Sequence, residues 1–208
     1  MSEVIKIANC SGFYGDNLSI AKKMVEGGPI DVLTGDYLAE LTMTILYNQK
    51  MKRGENLGYV GTFLKQFRDV AKLCNDQNIK IVSNAGGLNP ASMAAEVENI
   101  IKELNLDLKV AYIDGDDLMP RLDELSSSGE KLKNIDKNND LFSYEKKPLT
   151  ANAYLGAWGI KEALDNGADV VICPRVTDAA VVIGPAAWKF NWSRNDYDQL
   201  AGALAAGH

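Results

Sequence analysis

The sequence predicts a Rossmann-like, doubly wound α/β fold: a mainly parallel sheet with helices on both faces. Three observations lead there. Five short apolar, β-branched runs, at residues 4–8, 30–33, 79–82, 108–113 and 170–173, read as strands buried on both faces. Stretches with helical spacing separate them at crossover length, as parallel pairing requires. Each run ends in a small cluster of Gly, Asn, Asp or Thr. In parallel α/β sheets, ligands bind where the carboxyl ends of strands meet helix N-termini, so these clusters are expected to form one pocket.

The first strand leads into Asn9-Cys-Ser-Gly-Phe-Tyr-Gly-Asp16 and a helix near residues 18–25. Gly12 and Gly15 permit close backbone approach, and Asp16 or Asn17 can cap the helix. The spacing is G-x-x-G, not the G-x-G-x-x-G dinucleotide fingerprint, and no Walker-type lysine is present. The loop reads equally as a substrate contact through Gly12 and Asp16 or as a plain strand-to-helix turn.

The second strand leads into Thr34-Gly-Asp-Tyr37, followed by helices at residues 38–53 and 57–77 that Gly54-Glu-Asn56 divides. Asp36 and Glu40, four apart on a helix, would share a face. Such a pair suits a divalent cation such as Mg²⁺, or an acid/base couple with split pKa values. It suits equally a capping Asp with a Glu that favours the helix dipole.

The third strand ends in Ser83-Asn-Ala-Gly-Gly-Leu-Asn-Pro90. Asn89-Pro90 starts a helix, and Met93, Val97, Ile100, Ile101 and Leu104 give its apolar face. Gly86 and Gly87 can offer amide hydrogens to an anion or carbonyl at that helix's positive end, and Asn84 a side-chain amide. Gly-Gly before an Asn cap is also a tight turn.

Asp114-Gly-Asp-Asp117 after the fourth strand has no calcium-loop spacing, and Asp117 reads as a helix cap. Residues 126–147, rich in Ser, Lys, Asn and Asp, break the pattern and read as a surface insertion. Asn152 and Tyr154 are expected to start the helix before strand five and to offer neutral hydrogen bonds. The fifth strand ends in Arg175-Val-Thr-Asp178. Arg175 is the best candidate for a bidentate grip on a carboxylate or phosphate, with Thr177 beside it, although Asp178 can simply pair with it. A final helix over residues 195–208 carries Tyr197, Leu200, Ala201 and Leu204 on one side.

Composition narrows the chemistry. The 208 residues suit one α/β domain, and 46% hydrophobic with 24% charged residues is ordinary for a globular chain. A net charge of −6 argues against nucleic acid or an anionic membrane surface as partner. No apolar stretch nears the ~18 residues of a membrane span, and no signal-peptide pattern opens the chain. Three scattered cysteines point to a reducing, cytoplasmic compartment rather than a disulfide framework. The one histidine, His208, leaves no Ser/His/Asp triad and no His-rich zinc site.

Taken in order, Ser11-Gly-Phe-Tyr-Gly-Asp16, Glu26-Gly-Gly-Pro-Ile-Asp-Val-Leu-Thr-Gly-Asp-Tyr-Leu-Ala-Glu-Leu-Thr42, Ile81-Val-Ser-Asn-Ala-Gly-Gly-Leu-Asn-Pro90 and Arg175-Val-Thr-Asp-Ala179 resemble the acyclic terpene utilization (AtuA) family. Gly184-Pro-Ala-Ala-Trp188 and Leu200-Ala-Gly202 fit it too. The resemblance implies a link to catabolism of citronellol- and geraniol-type terpenes, which passes through branched acyl-CoA intermediates. It also implies a longer architecture of which this chain is the N-terminal part. It raises Asp36, Glu40, Asn84 and Asp178 as site residues.

The expectation is therefore an enzyme, of lyase, hydratase or hydrolase type, acting on a small carbonyl, hydroxy-acid or acyl-CoA substrate. The Gly86 and Gly87 amides with Arg175 would hold an anionic or carbonyl group, and Asn84 would polarise an oxygen. Asp36 or Asp178 would transfer a proton, with Glu40 or Mg²⁺ adjusting its pKa. The competing expectation is a noncatalytic ligand-binding module or a subunit of a larger assembly, a homo-oligomer included.

Overall fold

The computed structural model describes residues 4–208; the first three residues, part of the stretch read for a signal peptide, lie outside them. Five strands form one sheet: β1 (Ile7–Asn9), β2 (Val32–Gly35), β3 (Lys80–Ser83), β4 (Val110–Tyr112) and β5 (Val170–Ile172). Their order is β1-β2-β3-β5-β4, and every pairing is parallel. Asn9 pairs with Thr34, Gly35 with Ser83, Ser83 with Ile172 and Tyr112 with Ile172, so all carboxyl ends reach one rim.

The helices are α1 (Ile20–Glu26), α2 (Glu40–Arg53), α3 (Gly61–Gln77), α4 (Pro90–Glu103), α5 (Leu122–Ser127), α6 (Trp158–Asp165), α7 (Ala180–Lys189) and α8 (Tyr197–Gly207). From β1 to β4 the chain steps one way across the sheet, and right-handed crossovers then put the intervening helices on one face. Leu33, Ile81, Val170 and Ile172 pack there with Leu46, Phe67, Met93 and Val97. The return from β4 to β5 reverses direction. Val32, Val82 and Val171 accordingly face the other way and pack with Ile160, Leu164, Ala180 and Val181. The doubly wound fold read from the sequence is the fold observed.

Neighbours β3 and β5 send their outgoing chains to opposite faces, β3 to α4 and β5 to α7. That is a topological switch point, the place where open α/β sheets hold ligands. No local pattern marks it.

Several elements start later than periodicity predicts. Helix α2 begins at Glu40 rather than residue 38, because Asn84 Oδ1 accepts the Tyr37 amide and keeps that segment extended. Helix α3 begins at Gly61 rather than residue 57. Gly58, at φ +108°, gives its carbonyl to Leu88 N, and Val60 N donates to Ala85 O, so residues 57–60 clasp the β3–α4 loop instead. Asn152 and Tyr154 start no helix. They lie on an extended strap bridged through Asn152 to Asp117 and through Leu155 to Val176, and α6 begins only at Trp158.

The stretch at residues 126–147 finishes α5 and then runs as exposed loop around a 3₁₀ turn at Leu141–Ser143, with Ile135 98% exposed. On α8 the buried stripe is Ala203, with Gly207 closing on Ala179 and Val182, while Tyr197 and Leu204 face outward. Small residues let α8 approach α7, so the larger apolar side points away.

All three cysteines are free and buried. Burial pushes the Cys10 thiol up to about 11 and Cys74 up to about 12, and raises Cys173 as well. Thiolates, not thiols, attack. A disulfide reagent at pH 8 is therefore expected to label none of them in the folded protein and all of them in denaturant; labelling of native Cys10 would contradict this packing.

Candidate functional site

Strand β2 ends in a bend that β3 pins. Gly35 O accepts from Ser83 Oγ at 2.9 Å and from Asn84 N at 3.3 Å. Asn84 is fully buried: its Oδ1 accepts Tyr37 N at 2.8 Å and its Nδ2 donates to Asp36 Oδ1 at 2.5 Å. The Tyr37 ring is buried too, and its hydroxyl donates to Gln66 Oε1 at 2.5 Å. The Asp36 carboxyl is thus fixed at the rim by a side chain that meets no solvent.

Asp36 faces a cavity of about 710 Å³, and Asp178, from the turn after β5, lines the same cavity. Arg175 Nη1 donates to Asp178 Oδ1 at 3.2 Å. Burial raises the Asp36 carboxyl above the usual carboxylate range; the Asn84 hydrogen bond opposes this, and the charge of Asp178 adds to it. The folded state therefore keeps this proton to higher pH than the unfolded chain does. Stability present below the ordinary value of about 3.9 declines as pH rises through the raised value. Removing that cost with Asp36→Asn is expected to make the Tm difference, variant minus parent, more positive from about pH 4 to pH 7 in thermal melts. A difference flat across that range would contradict the assignment.

A second cavity, of about 400 Å³, lies on the other side of Arg175 and is lined by Glu40, Thr150 and Tyr154 among others. Arg175 is buried, with its guanidinium 3.9 Å from the centre of the Tyr154 ring and Nη1 also donating to Val176 O at 3.1 Å. Burial works against its charge, but Tyr154 and Asp178 outweigh it and raise its pKa further. The Tyr154 hydroxyl donates to Glu40, which holds that carboxyl below its usual range. Beneath them Asp116, buried, accepts Arg175 N at 3.1 Å and Asn152 Nδ2 at 2.8 Å. Its carboxyl is raised, chiefly by burial.

The residues singled out in the sequence divide accordingly. Asp36, Asn84, Asp178 and Arg175 converge at the switch point. Glu40 does not share a face with Asp36: α2 begins at Glu40, and the two carboxyls line different cavities. Gly12 lines the larger cavity, but its amide, like that of Phe13, is taken by Asp16 Oδ2, at 2.6 and 3.3 Å. Gly86 N donates to Cys173 O and Gly87 N to Asn84 O, so both amides are used inside the turn. Asn84 acts on Asp36 and Tyr37, not on open cavity. Thr177 lies in a separate shallow groove with Leu200 and Leu204. Among the described residues, no three His, Cys, Asp or Glu side chains gather as metal ligands.

Sequence reading missed Asp116 as the anchor of the Arg175 turn. It had weighed Asp117, which does cap the following turn by accepting Met119 N at 2.9 Å. It also missed the apolar wall of the larger cavity. Ile7, Val182, Phe190 and Trp192 line it, and Asn9 and Thr34 join them because strand alternation puts them on the same face as Ile7. Phe190 and Trp192 follow α7 and stack on each other, a position no periodicity marks.

Among the described residues, no helix is long and apolar enough to cross a membrane. No curated protein and no solved structure matches the chain. The family model for the acyclic terpene utilisation family protein AtuA matches residues 5–208. That span takes in all five strands and both cavities, and the chain belongs to the acyclic terpene utilisation family AtuA.

Proposed function

We propose that this chain is an enzyme of acyclic terpene utilisation that moves a proton on a small carbonyl-bearing substrate or its branched acyl-CoA thioester, in a lyase, hydratase or hydrolase reaction. The observation that carries this reading is the Asp36 carboxyl, held by buried Asn84 at the mouth of an otherwise largely apolar cavity, with Asp178 on the same wall. Two carboxyls in unlike surroundings suit acid and base roles. Asp36, desolvated and with a raised pKa, is the proton carrier; Asp178, paired with Arg175, orients the substrate or its water. The Ile, Val, Phe and Trp wall suits a branched hydrocarbon chain.

The test is incubation with branched acyl-CoA thioesters and with terpene-derived aldehydes and alcohols, products being read by mass spectrometry. Product formation that Asp36→Asn abolishes supports the proposal. Ligand-induced thermal shifts with no product from any of them would favour a noncatalytic binding module, the reading that the buried, protonated cysteines leave as the competitor.

A further inference from the structure

The lining of the larger cavity restricts which end of a substrate it accepts. Its lining carries two carboxyls, Asp36 and Asp178, and two uncharged polar side chains, Asn9 and Thr34. Among the described residues that line it there is no Lys or Arg, and the one basic group is the His208 imidazole; Arg175, which pairs with Asp178, lies outside the lining. The guanidinium of Arg175 is not available to it. That side chain is buried, bonded through Nη1 to Val176 O and Asp178, stacked under Tyr154, and on the wall of the other cavity. The Gly12, Gly86 and Gly87 amides already donate within the fold. A free carboxylate entering here would thus leave water for a site lined by two carboxyls, with few open donors and no cation of its own lining to meet it.

The geometry points to a site that takes the neutral head of a branched, apolar chain, a hydroxyl, an aldehyde or a thioester carbonyl, and rejects the free carboxylic acid of the same skeleton. This inference rests on the proposed function only for the location of the substrate, not for any reaction. Asn9 and Thr34 can hydrogen-bond an uncharged oxygen, while the apolar wall holds the chain.

The experiment is a titration of the full chain at neutral pH with a branched primary alcohol, its aldehyde and its carboxylic acid on one carbon skeleton. Quenching of tryptophan fluorescence reports binding, since Trp192 lines the cavity. The alcohol and aldehyde are expected to bind at least about tenfold more tightly than the acid, and Asp178→Asn to shrink that gap by admitting the acid. Asp178 is half exposed and asparagine still offers Arg175 Nη1 an amide oxygen, so the fold is expected to survive, and a thermal melt of the variant checks it. Equal or tighter binding of the acid overturns the inference. So does a gap unmoved by Asp178→Asn, or no binding of any of the three. Mass spectrometry of the same mixtures bears on the proposed reaction alone: selective binding without product refutes catalysis and leaves this selectivity standing.

Discussion

Asp36→Asn is expected to lower turnover of a confirmed substrate about 10²–10⁴-fold, the usual worth of a positioned proton carrier. The substitution removes the transferable proton and little else. Asn84 Nδ2, 2.5 Å from Asp36 Oδ1, finds an amide oxygen in the same place, and the Tyr37 amide keeps its Asn84 partner. Folding is therefore preserved. Losing a carboxyl that burial already disfavours as an anion makes the variant no less stable at neutral pH. The assay pairs turnover with circular dichroism melts. Parental turnover in a folded variant would remove Asp36 from the chemistry, and with it the reading of the cavity as an active site.

Gly86→Ala is expected to damage the fold strongly. A Cβ there would stand 2.6 Å from Cys173 O, 2.8 Å from Pro90 Cβ and 2.9 Å from Ile172 Cγ2. Two of these contacts are on β5 or its exit, and the third starts α4, so nothing flexible can yield. Separating the β3 and β5 exits also strains the Gly86 N to Cys173 O hydrogen bond, at 3.1 Å. A loss of about 3 kcal/mol is expected, at the upper end of overpacking costs. For a chain of this length that is a Tm drop of roughly 6–12 °C. Gly202→Ala is the control: nothing lies within 4 Å of its Cβ, and alanine is the better helix residue in α8. Equal melting of the two variants would mean that the β3 and β5 turns are not packed as described.

The difference between Gly86 and Gly202 shows how legible the chain was. Both are glycines in small-residue surroundings, and no local pattern separates a required one from a replaceable one. The distinction comes from Cys173, far away in sequence. Asp36 and Glu40 teach the same lesson. Helical spacing put them on one face, but Asn84, brought beside them by β2–β3 pairing, holds the chain extended through Tyr37 and sends the two carboxyls to separate cavities. Asp116 was visible as an acid in a turn; that it anchors Arg175 depends on β4 and β5 being neighbours.

The amino-acid sequence alone determined the strands and most helices, the parallel class of the sheet, and the placing of every polar cluster at one rim. These follow from local periodicity and from the geometry of parallel connections, which need no knowledge of distant residues. Tertiary structure decided the rest. Inserting β5 between β3 and β4 placed Arg175 and Asp178 beside Asn84 and Asp36, created the switch point, and left an apolar wall beside two carboxyls. Strand order is settled by which long crossover buries the most apolar surface across the whole chain, and that sum is not written in any single segment.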